Sequence, residues 1–302
     1  MYTFSSRLKT FSFILMAVGL LGIVYGFYSA PKDIQEVEVL LAADSHGSHG
    51  ESSHTAPAVA HNEHAAASSH SEKVEKAGHN VKEDAEHKEH LEHVLHQLSN
   101  KPWAAVYVAC IFFMLLSLGT LAFYAIQQVA QAGWSPVLFR VMQGITAYLP
   151  FGSVIFFIIL VLCGLHFNHL FIWLDPEVVA HDKLIQTKSG YLNFPFWIIR
   201  AGIFLLGWNA YRYFSRKNCL AQDEADDNSF YKKNFKMSAG FLVFFIVTES
   251  IMSWDWIMSV DPHWFSTLFG WYVFASFFVS GITMIAIVTL YLKSRGYLEH
   301  VN

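Results

Sequence analysis

The chain has 302 residues, of which 54% are hydrophobic, 16% aromatic and only 15% charged, with a formal net charge of −4. Soluble domains carry about 25% charged residues, so this composition excludes a disordered chain, argues against an ordinary soluble enzyme and points to a membrane protein diluted by a polar insert. The net charge hides a division: residues 31–101 hold 13 of the 24 acids and 6 of the 20 bases, net −7, while the rest of the chain nets +3.

Crossing a bilayer as a helix takes roughly 20 largely apolar residues. Six segments qualify, at about 11–28, 103–126, 141–165, 194–214, 238–258 and 268–292. They predict an all-α, polytopic transmembrane helix bundle. The first follows Arg7 and Lys9 as the core of a signal peptide does, but cleavage after Ala30 would put Tyr28 where a small residue is needed. Residues 1–30 are therefore expected to be a retained anchor helix.

Residues 31–101 read as a low-complexity linker that holds 11 of the 16 histidines. Its first part lacks hydrophobic periodicity and is expected to be disordered. Its last part, 81–98, reads as a short helix with Val81, Leu91, Val94, Leu95 and Leu98 on its apolar face. His87, His90, His93 and His96 recur there at every third residue. Steps of three drift around a helix, so two or three of them, here His87, His90 and His93, can share a zinc or copper ion but four cannot. A solvated polar linker and pH sensing are the competing readings.

A four-helix unit is expected over 102–258, and 259–302 opens a second. Pro150 lies inside the third span, where its missing donor predicts a kink. Trp103, Trp134, Trp173, Trp197, Trp254, Trp256, Trp264 and Trp271 fall near span ends, as interfacial belts do. Cys110, Cys163 and Cys219 are too dispersed for covalent haem, zinc or iron–sulfur motifs. No cofactor is expected on this chain, and any redox centres belong to other chains.

Lys and Arg are enriched in short cytoplasmic loops. With the N-terminus inside, the inner face gathers Arg7, Lys9, Arg140, Arg212, Arg216, Lys217, Lys232, Lys233, Lys236, Lys293 and Arg295, whereas the short outer loops hold Lys183 and Lys188 alone. Both ends are thus expected in the cytoplasm and the His-rich linker in the periplasm.

Ionisable groups in membrane helices are costly and are functional candidates by default. Arg200, Glu249 and Asp255 lie within the fourth and fifth spans, Asp261 and His263 follow in SVDPHWF, and His166 and His169 close the third span in CGLHFNHLF. At about 1.5 Å per residue, Arg200 sits about 9–10 Å below the outer surface, Asp255 about 4–5 Å and Glu249 about 13–14 Å. If the fourth and fifth spans are neighbours, Arg200 reaches either acid. Three readings follow. One is a structural ion pair. Another is a proton path through Glu249, Asp255, Asp261 and His263. The third is a quinone head-group pocket of His166, His169 and Arg200, since quinol oxidation needs a base within hydrogen-bond reach. A transporter with a metal-sensing loop is a separate class, for which Glu249 alone lies near mid-bilayer.

The stretches WSPVLFRVMQGITAYLPFGS from Trp134, YLNFPFWIIRAGIFLLGW to Trp208 and SWDWIMSVDPHWFSTLFGWYVFAS to Ser276 resemble the integral-membrane subunits of alternative complex III. This is a bacterial quinol:cytochrome c or quinol:oxidase oxidoreductase, and its membrane subunits belong to the wider polysulfide-reductase-like family. The likeness covers about 134–292 and is most specific at Asp261–Gly270. A long polar segment after the first helix fits the ActF-type subunit better than its ActC-type paralogue. The resemblance implies a multisubunit complex of the respiratory electron-transport chain in the bacterial inner (cytoplasmic) membrane. Its partners would be the lipid bilayer, a paralogous membrane subunit, periplasmic haem c and iron–sulfur subunits and a terminal oxidase, with menaquinol or another quinol in the complex and no nucleic acid. The quinol site is credited to the ActC-type paralogue, and the ActF-type subunit to assembly or proton translocation. That favours a proton-carrying or a structural role for Glu249 and Asp255, with a quinol-binding role for this subunit itself as the alternative. Such subunits carry about ten spans in two four-helix units, so the six seen here imply a truncated member.

Overall fold

A computed structural model describes the chain over residues 6–47 and 75–298. Helix dominates the described residues and no strand occurs among them, so the fold is the helical bundle expected from composition. Among the described residues, five helical stretches are long and apolar enough to cross a membrane: Ser6–Ser29, Val94–Ala130, Ser135–Gly164, Ser229–Val260 and Phe269–Ser294. The remaining expected span, 194–214, forms a 30-residue helix, Phe194–Asp223, but is not among the five. Arg200, Asn209 and Arg212 lower its hydropathy, and its neighbours take up the first two of these.

The chain divides into two compact units, residues 1–103 and 104–302. The first contains α1 (Ser6–Ser29), α2 (Ile34–Gly47) and the beginning of α3 (Glu75–Ala130). No α1 residue is buried within the chain. Phe27 meets Trp103 edge-on at 5.0 Å. Helix α2 starts where the Lys32 N–H donates to the Glu36 carboxylate at 2.9 Å, and Val37 is fully buried. That anchored turn corrects the disorder expected of the linker's first part, at least over Ile34–Gly47; residues 48–74 lie outside the described residues. The short helix expected at 81–98 and the second span are one continuous 56-residue helix, α3, that passes through Pro102.

The second unit holds the remainder of α3 with α4 (Phe139–Ile145), α5 (Leu149–Gly164), α6 (Pro176–His181), α7 (Lys183–Lys188), α8 (Phe194–Asp223), α9 (Ser229–Trp256) and α10 (Phe269–Ser294). Where Pro150 predicts a kink, a short 3-10 turn, Thr146–Tyr148, lies between α4 and α5. Pro150 itself sits in the first turn of α5, where a missing N–H leaves no bond unmade. Asn193 caps α8 by accepting from the Phe196 N–H at 3.1 Å, with Pro195 next in the first turn. Helices α8 and α9 run antiparallel, pairing Arg200 with Asp255 at one end and Tyr211 with Ser238 toward the other. Helix α10 crosses α3 closely: a Cβ on Gly281 would lie 2.8 Å from the Thr120 nitrogen, and one on Gly119 2.5 Å from the Phe277 carbonyl.

The core is aromatic. Trp197, Trp208 and Trp256 are fully buried, and Trp256 lies 4.9 Å from Phe156 and 5.9 Å from Trp208. The interfacial belt therefore needs correcting: Trp134, Trp264 and Trp271 are exposed, but Trp173, Trp197 and Trp256 are core residues. Of these three core tryptophans, Trp173 and Trp256 keep an indole N–H without a partner among the described residues. Trp197 donates to the Asp255 carbonyl at 2.9 Å.

Candidate functional site

Arg200 reaches α9 from the first turns of α8. Its Nε and Nη2 donate to the two Asp255 oxygens at 2.7 and 2.9 Å, a bidentate fork with Asp255 fully buried. The guanidinium is held between the rings of Tyr191 at 4.0 Å and Phe196 at 4.2 Å, and it also donates to the Tyr191 carbonyl at 3.3 Å. The Asp255 carbonyl accepts from Trp197 and from the Ser259 hydroxyl at 2.6 Å. Every strong donor and acceptor here is matched, which is what a buried ion pair requires to avoid net cost. Burial, and after it the Asp255 carboxylate, push the Tyr191 hydroxyl up, so it remains a neutral phenol.

Glu249 is the other buried acid of α9, 4% exposed. It accepts from the Ser250 hydroxyl at 3.2 Å, and its Oε1 has no partner among the described residues. It lies two turns inward from Asp255, about 9 Å along the axis. Beside it α10 crosses: a Cβ on Gly270 would stand 3.3 Å from the Ser250 Cα and from the Ser253 hydroxyl. The site is therefore one charge pair locking α8 to α9 and, on α9, one carboxyl without a cation among the described residues.

Asp261 and His263 are exposed on the loop after α9. His263 Nε2 lies 2.5 Å from Asp182, and the His263 N–H donates to Asp261 at 3.1 Å. Lys188 donates to the Pro262 carbonyl at 2.5 Å. Asp182 also caps α7 through the Leu184 and Ile185 N–H groups. The Ile185 N–H first, and the hydrogen bond to His263 after desolvation has opposed it, hold the Asp182 carboxyl below the usual carboxylate range. These contacts clasp two loops at the same end of the bundle as Arg200 and Asp255.

The expected quinone trio is divided. Arg200 is buried and occupied by Asp255, whereas His166 and His169 are exposed. His169 Nδ1 lies 4.0 Å from Asp175. His166 has φ +60° and ends α5: its N–H donates to the Cys163 carbonyl and that of Phe167 to Leu162. That pattern is a left-handed helix cap, a structural task sufficient to account for the residue. His87, His90 and His93 lie on α3, and their side chains are outside what is described.

One cluster had no counterpart in the sequence reading. The Tyr124 hydroxyl lies 3.0 Å from Asn234 Nδ2, 3.1 Å from Gln128 Nε2, 3.2 Å from Ser215 Oγ and 3.4 Å from Gln143 Nε2. Helices α3, α4, α8 and α9 each contribute. The signal was polar residues at core spacing: Tyr211, Ser215 and Asn218 on α8, and Asn234 and Ser238 on α9, all buried.

No protein-family model and no curated protein sequence matches the chain.

Proposed function

We propose that this chain is a non-haem membrane subunit of a quinol-oxidising respiratory complex of the alternative complex III type, supporting assembly and carrying protons at Glu249. The observation that carries the proton role is the contrast on α9. Asp255 is neutralised by a bidentate arginine, whereas Glu249 keeps one oxygen unpartnered among the described residues. A carboxyl held inside a membrane helix without a counter-charge is retained at a cost that structure alone does not repay. In this reading the Arg200–Asp255 pair locks α8 to α9, and the loops carrying Asp182 and His263 face the periplasm. The basic residues Arg212, Arg216, Lys217, Lys232, Lys233 and Lys236 face the cytoplasm, as their bias requires.

Purification from native membrane tests the complex. Haem c and iron–sulfur subunits are expected to co-purify, and isolation as a lone homo-oligomer sinks the reading. Glu249→Gln tests the proton role. Assembly should be unchanged, because Gln keeps the size and the Ser250 contact, while proton-coupled quinol oxidation should fall by about tenfold or more. Unchanged turnover in an intact complex would leave a scaffold only.

A further inference from the structure

The later half of α8 carries two arginines on one face. Arg212 and Arg216 are four residues apart, the spacing at which side chains on a helix meet, and the charge of Arg216 acts on Arg212. Like charges at that spacing destabilise a helix. Neither guanidinium has an acid or a hydrogen-bonded partner among the described residues. The Arg212 Nε is also a buried atom, and it too has no partner there. Two acids of the following turn are engaged elsewhere: Asp223 with Arg140, and Asp227 with the Ser229 hydroxyl. A buried donor on a charged group is costly without an acceptor, and what this pair lacks is an anion.

Depth along α8 points to the source of that anion. From Phe194, the first residue of α8, to Arg212 and Arg216 is about 27 and about 33 Å of helix, which brackets the roughly 30 Å hydrocarbon thickness of a bilayer. The outward residues of α8 change in the same order as the layers of a membrane. Ile199, Ile203 and Leu206 are exposed and apolar, Arg216 and Lys217 exposed and basic, and Asp223 and Glu224 exposed and acidic. Hydrocarbon, phosphate and water follow one another in that sequence. Ile199, Leu206 and Tyr213, seven residues apart, form an exposed apolar strip that ends next to Arg212. A Cβ on Gly202, beside the strip, would meet nothing within 4 Å. Because Tyr211 meets Ser238, Lys232, Lys233 and Lys236 of α9 lie in the same basic band, but all three are exposed.

We infer that Arg212 and Arg216 bind the phosphate of an anionic phospholipid in the leaflet at the basic end of the bundle, with an acyl chain lying along Ile199, Leu206 and Tyr213. Guanidinium forks match the oxygens of a phosphate, and the negative charge offsets the repulsion between the two arginines. The occupant is a lipid and not free phosphate, because the pair stands at headgroup depth and an apolar strip leads to it. The inference requires α8 to lie in a bilayer. It requires neither the quinol-oxidising complex nor a proton role for Glu249.

Native mass spectrometry of the full chain, delipidated in a neutral detergent and titrated with dioleoylphosphatidylglycerol, tests this. One phosphatidylglycerol should be retained per chain. Dioleoylphosphatidylcholine, whose choline offsets the phosphate charge, should bind about tenfold more weakly. Arg212→Gln and Arg216→Gln should each weaken phosphatidylglycerol binding by about tenfold, the effect of losing a hydrogen bond to a charged group. Lys232→Gln combined with Lys233→Gln removes two charges from the same band and should leave the affinity nearly unchanged. Equal weakening in that lysine variant would reduce the site to general charge attraction and overturn it. Native affinity in both arginine variants, or equal binding of the two lipids, would overturn it as well. Inorganic phosphate should not displace the lipid; displacement would make a soluble anion the occupant and overturn the lipid assignment. Arg216 is the more exposed of the pair, so Arg216→Gln, with helicity checked by circular dichroism, keeps the test decisive if Arg212→Gln fails to fold. None of these readings depends on quinol turnover in Glu249→Gln, so failure here and failure of the proposed function are distinguishable.

Discussion

At the scale of single residues, the Arg200–Asp255 fork sets the firmest expectation. Removing one partner of a buried pair leaves an uncompensated charge and costs about 3–5 kcal/mol. Arg200→Met should therefore lower the detergent melting temperature sharply. Arg200→Met combined with Asp255→Leu should restore much of the loss, and a double variant as unstable as the sum of the singles would contradict the pairing. Asp182 sets a pH expectation. Its carboxyl is held below the ordinary value, so its contribution is complete above that value and disappears as pH falls through the lowered one. Hydrogen exchange in residues 182–193 should stay slow down to about pH 4 and accelerate below it, and His263→Ala should move that acid limb upward. These partners were half legible in the sequence. Helical rise placed Arg200 at the depth of both acids, but only packing decides which acid it takes. The Tyr124 cluster was not legible, because Gln128, Gln143, Ser215 and Asn234 are neutral and individually ordinary; they become a site only when four helices converge.

At the scale of elements, glycine controls one contact. A side chain at Gly281 would press on backbone, at Thr120 N and the Gly119 carbonyl carbon, which cannot swing aside. Gly281→Leu should force α10 from α3 and cost at least about 1–3 kcal/mol. Thermal unfolding of the variant in detergent reads this directly, and an unchanged midpoint would show that the crossing tolerates separation. Periodicity found the helices, and Pro150 found the break before α5. Six spans were expected, but α8, which carries Arg200, Asn209 and Arg212, is not among the five described helices long and apolar enough to cross a membrane. The linker helix α2 escaped notice because one buried valine and one capping glutamate leave little periodic trace.

For the whole molecule, the distribution of Lys and Arg makes a topological prediction. Single cysteines in a background without Cys110, Cys163 and Cys219 report sidedness through a membrane-impermeant thiol reagent. A cysteine at Thr187 should label from the periplasm and one at Lys233 only after the membrane is opened; the reverse pattern would invert the assigned orientation. The apolar first helix and the helical bundle were visible in composition. The segment Asp261–Gly270 begins in the loop clasped by Asp182 and Lys188, so it has a structural use of its own.

The glycine crossing of α3 and α10 also bears on the order of assembly. Helices α8 and α9 are joined by a short turn and can pair as soon as both have left the ribosome, a local event with little loop entropy to overcome. The α3–α10 contact joins residues near 119 to residues near 281, and α10 is the last of the described helices to be synthesised. During translation α3 must therefore hold its narrow glycine face open while α4 to α9 are inserted. On contact order alone, the seating of α10 against α3 is expected to come after the pairing of α8 with α9.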